Sequence, residues 1–141
     1  MKDKIFLDTN FLVYLQNSNE PEKQKHCRAL IKHLASKSTI VLSTQVIQEF
    51  YVVMTRKMGA DPVLVKGLLQ LFRQFEIVTI DLESISQAID FSIIHQLSFW
   101  DALIVSAAQK ANCSTLFTED LNSGQIMAGI KIINPFTISV P

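Results

Sequence analysis

The sequence predicts a single α/β/α domain over residues 1–141, a three-layer sandwich around a parallel sheet of about five strands. Two patterns carry this expectation. Short apolar runs recur along the chain, and helical stretches long enough for a crossover separate them. No linker, low-complexity tract or change of composition divides the chain. Strands joined by long crossovers pair in parallel with right-handed connections.

Ile5-Phe6-Leu7 reads as a buried strand that ends at Asp8, where a polar Asp-Thr-Asn turn begins. A helix follows through Leu15, and Asn17-Ser18-Asn19 breaks it. Glu20-Pro21 opens the next helix, with proline suited to the first turn. Cys27, Leu30, Ile31, Leu34 and Ala35 give that helix an apolar stripe, and Lys23, Lys25, Arg28, Lys32 and Lys37 a basic outer face.

Thr39 to Leu42 is the second strand, and Ser43-Thr44 caps a helix that runs to about Met58 and stops at Gly59. Asp61-Pro62 starts another helix. Ile77 to Ile80 is the third strand, and Asp81 caps the helix after it, whose apolar stripe is Ile85, Ala88, Ile89 and Leu97. Ser98 caps a helix over Trp100 to Ala111. Thr115 to Thr118 and Ile130 to Ile133 complete the strands.

Composition narrows the function classes. Apolar residues make up 48% and charged residues 18%, which excludes a disordered chain. The longest apolar runs fall far short of the roughly 20 residues that cross a bilayer. The opening apolar run is too short for a secretory signal, so a cytoplasmic protein with no membrane partner is expected. Cys27 and Cys113 stand alone, without zinc or disulfide spacing. His26, His33 and His95 have no partners that suggest catalysis and read as structural. Four glycines in the whole chain leave no GxxxxGK[ST] and no GxGxxG phosphate loop.

In open parallel sheets, ligands bind beyond the carboxyl ends of the strands, where the strand order reverses. Four acidic positions fall there. Asp8 follows the first strand directly, and Thr118-Glu119-Asp120 follows the fourth. Asp101 lies in the first turn of the helix that leads to the fourth strand, and Glu49 about a turn and a half into the helix after the second. Each has a bland explanation: a turn for Asp8, a Ser98-x-x-Asp101 capping box, a solvated helix residue for Glu49, a turn for Glu119-Asp120. Together they are harder to dismiss. Two carboxylates about 4 Å apart repel by roughly 4 kcal/mol at an effective dielectric near 20. A cluster of four needs a cation or protonation to survive, and hard oxygen ligands without His or Cys select Mg²⁺ or Mn²⁺. Such a cation acidifies bound water and stabilises charge on a phosphoryl group.

Asp8-Thr9-Asn10-Phe11-Leu12-Val13-Tyr14, Gln48-Glu49-Phe50, Ser98-Phe99-Trp100-Asp101-Ala102-Leu103-Ile104 and Thr118-Glu119-Asp120-Leu121 resemble the successive motifs of PIN-domain nucleases. The resemblance runs from about Ile5 to Asn134, and within the family it points to VapC-type toxins of toxin–antitoxin pairs. It implies a sheet in the order 3-2-1-4-5 and an Mg²⁺- or Mn²⁺-dependent ribonuclease. Asp8, Glu49, Asp101 and Asp120 would be the metal ligands, with Thr9, Asn10, Thr118 and Glu119 orienting them or the attacking water. Thr118-x-Asp120 fits the family's Ser/Thr-x-Asp pattern, which ranks Asp120 above Glu119. The same resemblance implies an RNA substrate, a cognate antitoxin and a homodimer.

Three other readings compete. A catalytically weak PIN domain would act as an RNA- or protein-binding module, yet all four carboxylates are present. A haloacid-dehalogenase-like phosphatase would want Asp-x-Asp after the first strand, where Asn10 stands instead. A receiver domain would want paired acids before its phospho-acceptor strand and a late lysine, and the pattern does not fit.

Charge departs from the family, since 13 Lys+Arg balance 13 Asp+Glu. With the four proposed ligands set aside, 9 acids face 13 bases, a remainder of +4. The Pro21 to Lys37 helix is the candidate for phosphate contacts, although its lysines equally suit a solvated surface. Phe99 and Trp100 read as core residues beside a helix start, with base stacking as the alternative.

Overall fold

The computed structural model describes residues 2–140. Its strands are β1 (Lys4–Leu7), β2 (Thr39–Ser43), β3 (Glu76–Val78), β4 (Thr115–Phe117), β5 (Ile126–Met127) and β6 (Ile130–Ile133). Its α-helices are α1 (Thr9–Gln16), α2 (Pro21–Lys37), α3 (Thr44–Val52), α4 (Pro62–Leu68), α5 (Leu82–His95) and α6 (Phe99–Lys110).

The sheet order is β3-β2-β1-β4-β6-β5. β1 pairs in parallel with β2 on one side and β4 on the other, with Phe6 opposite both Val41 and Leu116. These central strands are apolar on both faces because helices cover both, as parallel sheets require. Phe6, Leu7, Val41, Leu42 and Leu116 are all fully buried. The chain lays β2 and β3 to one side of β1 and then returns to place β4 on the other. The reversal of strand order therefore falls between β1 and β4, at the carboxyl end of β1.

The expected order holds for the five anticipated strands, and a sixth is added. β5 runs antiparallel to β6 with Met127 opposite Ile130. The two residues between them, Ala128 and Gly129, have φ of 51° and 80°. Positive φ at both central positions is the signature of a tight type I′ hairpin turn.

The expected helix caps form as hydrogen bonds. Ser43 Oγ accepts from Val46 N–H, Asp61 Oδ1 from Val63 N–H, Asp81 Oδ1 from Ser84 N–H, and Ser98 Oγ from Asp101 N–H. Cys27 and Cys113 are buried free thiols, with burial pushing both up to about 12.

Some elements differ from expectation. The helix expected to reach Met58 stops as an α-helix at Val52 and continues as a π-helical turn over Val53–Lys57. β3 starts at Glu76, opposite Val41, and ends at Val78, earlier than expected; beyond that end, Ile80 N–H donates to Thr44 Oγ1 at 3.1 Å, outside the ladder. Ile89 and Ala35, placed in apolar stripes by spacing, are exposed. α5 packs on α6 through Ala88, as expected from the stripe, and through Ser84, which lies outside it; both side chains are small and let the two helices approach. Trp100 is 63% exposed and so lies outside the core, where the sequence had placed it. Among the described residues, no single helix is long and apolar enough to cross a membrane.

Candidate metal and nucleic-acid site

Asp8 stands where β1 gives way to α1, and it is the N-cap of that helix. Its backbone N–H still donates to Phe117 O at 3.1 Å, so the end of β1 is fastened to the end of β4. Its side chain is only 5% exposed. Oδ1 accepts from Thr9 N–H at 2.6 Å, and Oδ2 accepts from the Thr118 hydroxyl at 2.7 Å. Thr118 Oγ1 in turn accepts from Asp120 N–H at 3.1 Å, which shapes the turn after β4.

Thr9 joins a second carboxylate to the first. Its hydroxyl donates to Glu49 Oε2 at 2.8 Å, across from α1 to α3. The other Glu49 oxygen accepts from Gln45 Nε2 at 2.8 Å, one turn earlier on α3. Asp101 occupies the first turn of α6, where its N–H is taken by Ser98. Asp101 and Asp120 line one cleft of about 380 Å³, together with His95, Ser98, Asn122 and Gln125.

Burial and nearby negative charge act together on Asp8 and Asp120. Burial pushes Asp8 up to about 6, against the Thr118 and Thr9 donors, and the charges of Asp120 and Glu49 add to the rise. Asp120 is also raised, first by partial burial, then by the charges of Asp101 and Glu119; contact with Asp8 opposes this and Glu49 adds to it. Among the described residues, the salt bridges are Lys4–Glu76, Lys23–Glu119 and Lys110–Asp81, so none of the four has a cationic partner.

That shortage of positive charge, with an all-oxygen donor set, fits a hard divalent cation. Among the described residues, no three His, Cys, Asp or Glu groups form an ion-holding cluster.

The remaining expected residues sit at different distances from this centre. Thr9 and Thr118 are buried within it. Asn10 is exposed and lines a separate cleft with Val13, Tyr14 and Lys57. Glu119 faces α1 and α2: its Oε1 accepts from Tyr14 Oη on α1 at 2.7 Å, and its Oε2 meets Lys23 Nζ on α2 at 3.4 Å. Part of the basic face of α2 is therefore engaged within the molecule. Lys23 lies over the Tyr14 and Phe136 rings, and Arg28 Nε donates to Leu15 O.

Sequence reasoning missed Gln45, which is buried against Glu49. Its position one helical turn before an acidic residue was the available signal.

Three solved structures share the fold. VapC20 of Mycobacterium tuberculosis, a toxin that cleaves the Sarcin–Ricin loop, aligns with TM-score 0.66 and 21% identity over 82% of this chain and 91% of that one. A toxin–antitoxin complex from Klebsiella pneumoniae aligns with TM-score 0.67 and 16% identity, over 93% and 97%. VapBC2 from Rickettsia felis, bound to a DNA fragment from its promoter, aligns with TM-score 0.66 and 19% identity, over 92% and 96%. No curated protein sequence matches the chain. The PIN domain family model matches residues 5–126. That span runs from β1 into β5 and takes in all four carboxylates and both buried threonines, and on it the chain belongs to the PIN domain family.

Proposed function

We propose that the protein is an endoribonuclease dependent on Mg²⁺ or Mn²⁺, and the toxin of a toxin–antitoxin pair. One observation carries the nuclease reading. Four carboxylates without a cationic partner lie on the elements that border the reversal of strand order, and burial raises the most buried of them, Asp8, to about 6. Family membership supports it.

Asp8, Glu49, Asp101 and Asp120 would hold the cation. When bound, it would acidify a coordinated water and offset charge on the scissile phosphate. The protein's own groups then have distinct tasks. Thr118 and Thr9 orient the two oxygens of Asp8, and Thr9 and Gln45 orient those of Glu49. Asp101 and Asp120 present their carboxylates to the cleft through which substrate would enter. Trp100 stands exposed beside Asp101, where a base can stack on it.

The toxin assignment rests on likeness to solved toxins and their complexes. An antitoxin and a second copy of the chain are the proposed protein partners. Two exposed apolar surfaces support such partners: Leu82, Ile89 and Ile93 on α5, and Val63, Leu64 and Leu71 on and after α4. One domain in the cytoplasm, without a membrane partner, completes the proposal.

The test is cleavage of labelled RNA by purified protein in Mn²⁺, in Mg²⁺ and in chelator. Metal-dependent cleavage that disappears in Asp8→Asn, with the fold intact by circular dichroism, is expected. A folded protein that binds RNA but cleaves none would instead support a binding module.

A further inference from the structure

Gln45 lies in the first turn of α3 and is 4% exposed. Its amide Nε2 donates twice, to Glu49 Oε1 at 2.8 Å and to the backbone carbonyl of Trp100 at 3.1 Å. The second acceptor belongs to the peptide group that leads into Asp101. One side chain thus joins two of the acidic positions, one on α3 and the other on α6.

The far oxygen of this amide has no partner. Gln45 Oε1 is the one buried side-chain polar atom without a hydrogen bond among the described residues. Turning the amide over would set Oε1 against two acceptors, so the arrangement has a single sense. An apolar side chain of similar shape would fill the same space and remove the orphaned Oε1, but would take the donor from Glu49 Oε1 and the Trp100 carbonyl. What the glutamine adds over such a residue is its pair of N–H bonds.

Those bonds act on a flexible group. A glutamate side chain turns about three torsions, and ordering it costs rotamer freedom. Here Thr9 Oγ1 holds Oε2 and Gln45 Nε2 holds Oε1, so the carboxylate is fixed from both sides. Each oxygen keeps lone-pair capacity for a further partner.

We infer that Gln45 is a positioning residue, which fixes the Glu49 carboxylate relative to the first turn of α6 and so preforms one side of the cation site. The inference rests on the metal-dependent reading proposed above and reaches a residue outside the four carboxylates. Donors behind a metal ligand set its orientation, and their loss weakens metal binding by about 10- to 100-fold.

Isothermal titration with Mn²⁺, alongside thermal unfolding in chelator, tests it on wild type, Gln45→Met and Gln45→Glu. Gln45→Met keeps the shape and removes both donors. Gln45→Glu is nearly isosteric and turns a donor into an acceptor facing Glu49. The expected result is Mn²⁺ affinity at least about tenfold weaker in Gln45→Met and weaker still in Gln45→Glu. Thermal unfolding in chelator reads any change in stability on its own, and titration at a temperature where every variant is folded reads the fall in Mn²⁺ affinity, which a merely structural role would not move. Mn²⁺ affinity within twofold of wild type in either folded variant overturns the inference and leaves the metal reading standing. A wild-type protein that binds no Mn²⁺ overturns both.

Discussion

The Thr118 hydroxyl donates to Asp8 Oδ2 at 2.7 Å, joining residues 110 positions apart. This bond crosses from the turn after β4 to the end of β1, where the strand order reverses. Thr118 Oγ1 also accepts from Asp120 N–H, so one side chain supports two of the acidic positions. Thr118→Val keeps the volume and deprives both groups. A loss of about 1–3 kcal/mol is expected in metal-free urea unfolding, the cost of buried groups left short of a partner. Cleavage should fall as well.

Asp8 sets a pH dependence whose sign follows from its direction of shift. Its value rises from 3.8 to about 6 on folding, so the folded state resists ionisation more than the unfolded chain. The stability linked to this is fully present below about 3.8 and is lost as pH climbs through about 6. The loss is on the order of 3 kcal/mol. In chelator, Asp8→Asn should therefore gain stability relative to wild type between pH 4 and 7.5. A constant difference across that range would contradict the buried, charge-poor setting of Asp8.

Divalent cation should reverse that penalty. Mn²⁺ or Mg²⁺ at a hundred times its dissociation constant stabilises a folded protein by roughly 2.7 kcal/mol. Differential scanning fluorimetry should show a rise of several degrees for wild type and almost none for Asp8→Asn. An equal rise in both would place the cation elsewhere.

Glu119 and Asp120 are neighbours in sequence with different duties. Glu119 is tied to Tyr14 and Lys23, whereas Asp120 lines the cleft with Asp101. Glu119→Gln should retain most cleavage, and Asp120→Asn should lose it to background. Tyr14→Phe removes the hydroxyl that donates to Glu119 and accepts from Lys23, and should cost about 0.5–1.5 kcal/mol in urea unfolding.

The parts of the fold written locally were legible in the sequence. Ile5-Phe6-Leu7 ending at Asp8 could be read as a buried strand meeting a turn, and Ser43, Asp61, Asp81 and Ser98 all became the caps their chemistry suggests. The residues that went unread depend on what lies opposite. Spacing placed both Ala88 and Ile89 on an apolar stripe, but α6 packs over Ala88 and Ser84 and leaves Ile89 exposed. β5 is two residues long and turns through Ala128-Gly129, a pair that lacks the usual Asn or Asp signal. Gln45 reads like any surface amide until α6 covers it, and the tie of Glu119 to Tyr14 and Lys23 depends on elements about a hundred residues away in the chain.

The contact between the ends of β1 and β4 also has a consequence in time. Synthesis proceeds from the N-terminus, and β1, β2 and β3 all emerge before Thr115. A nascent chain at that stage can pair half of its sheet, yet it lacks Thr118 and Asp120 and leaves one flank of β1 open. The acidic centre closes only when β4 docks there, so any chemistry it supports switches on late, after most of the domain has been made.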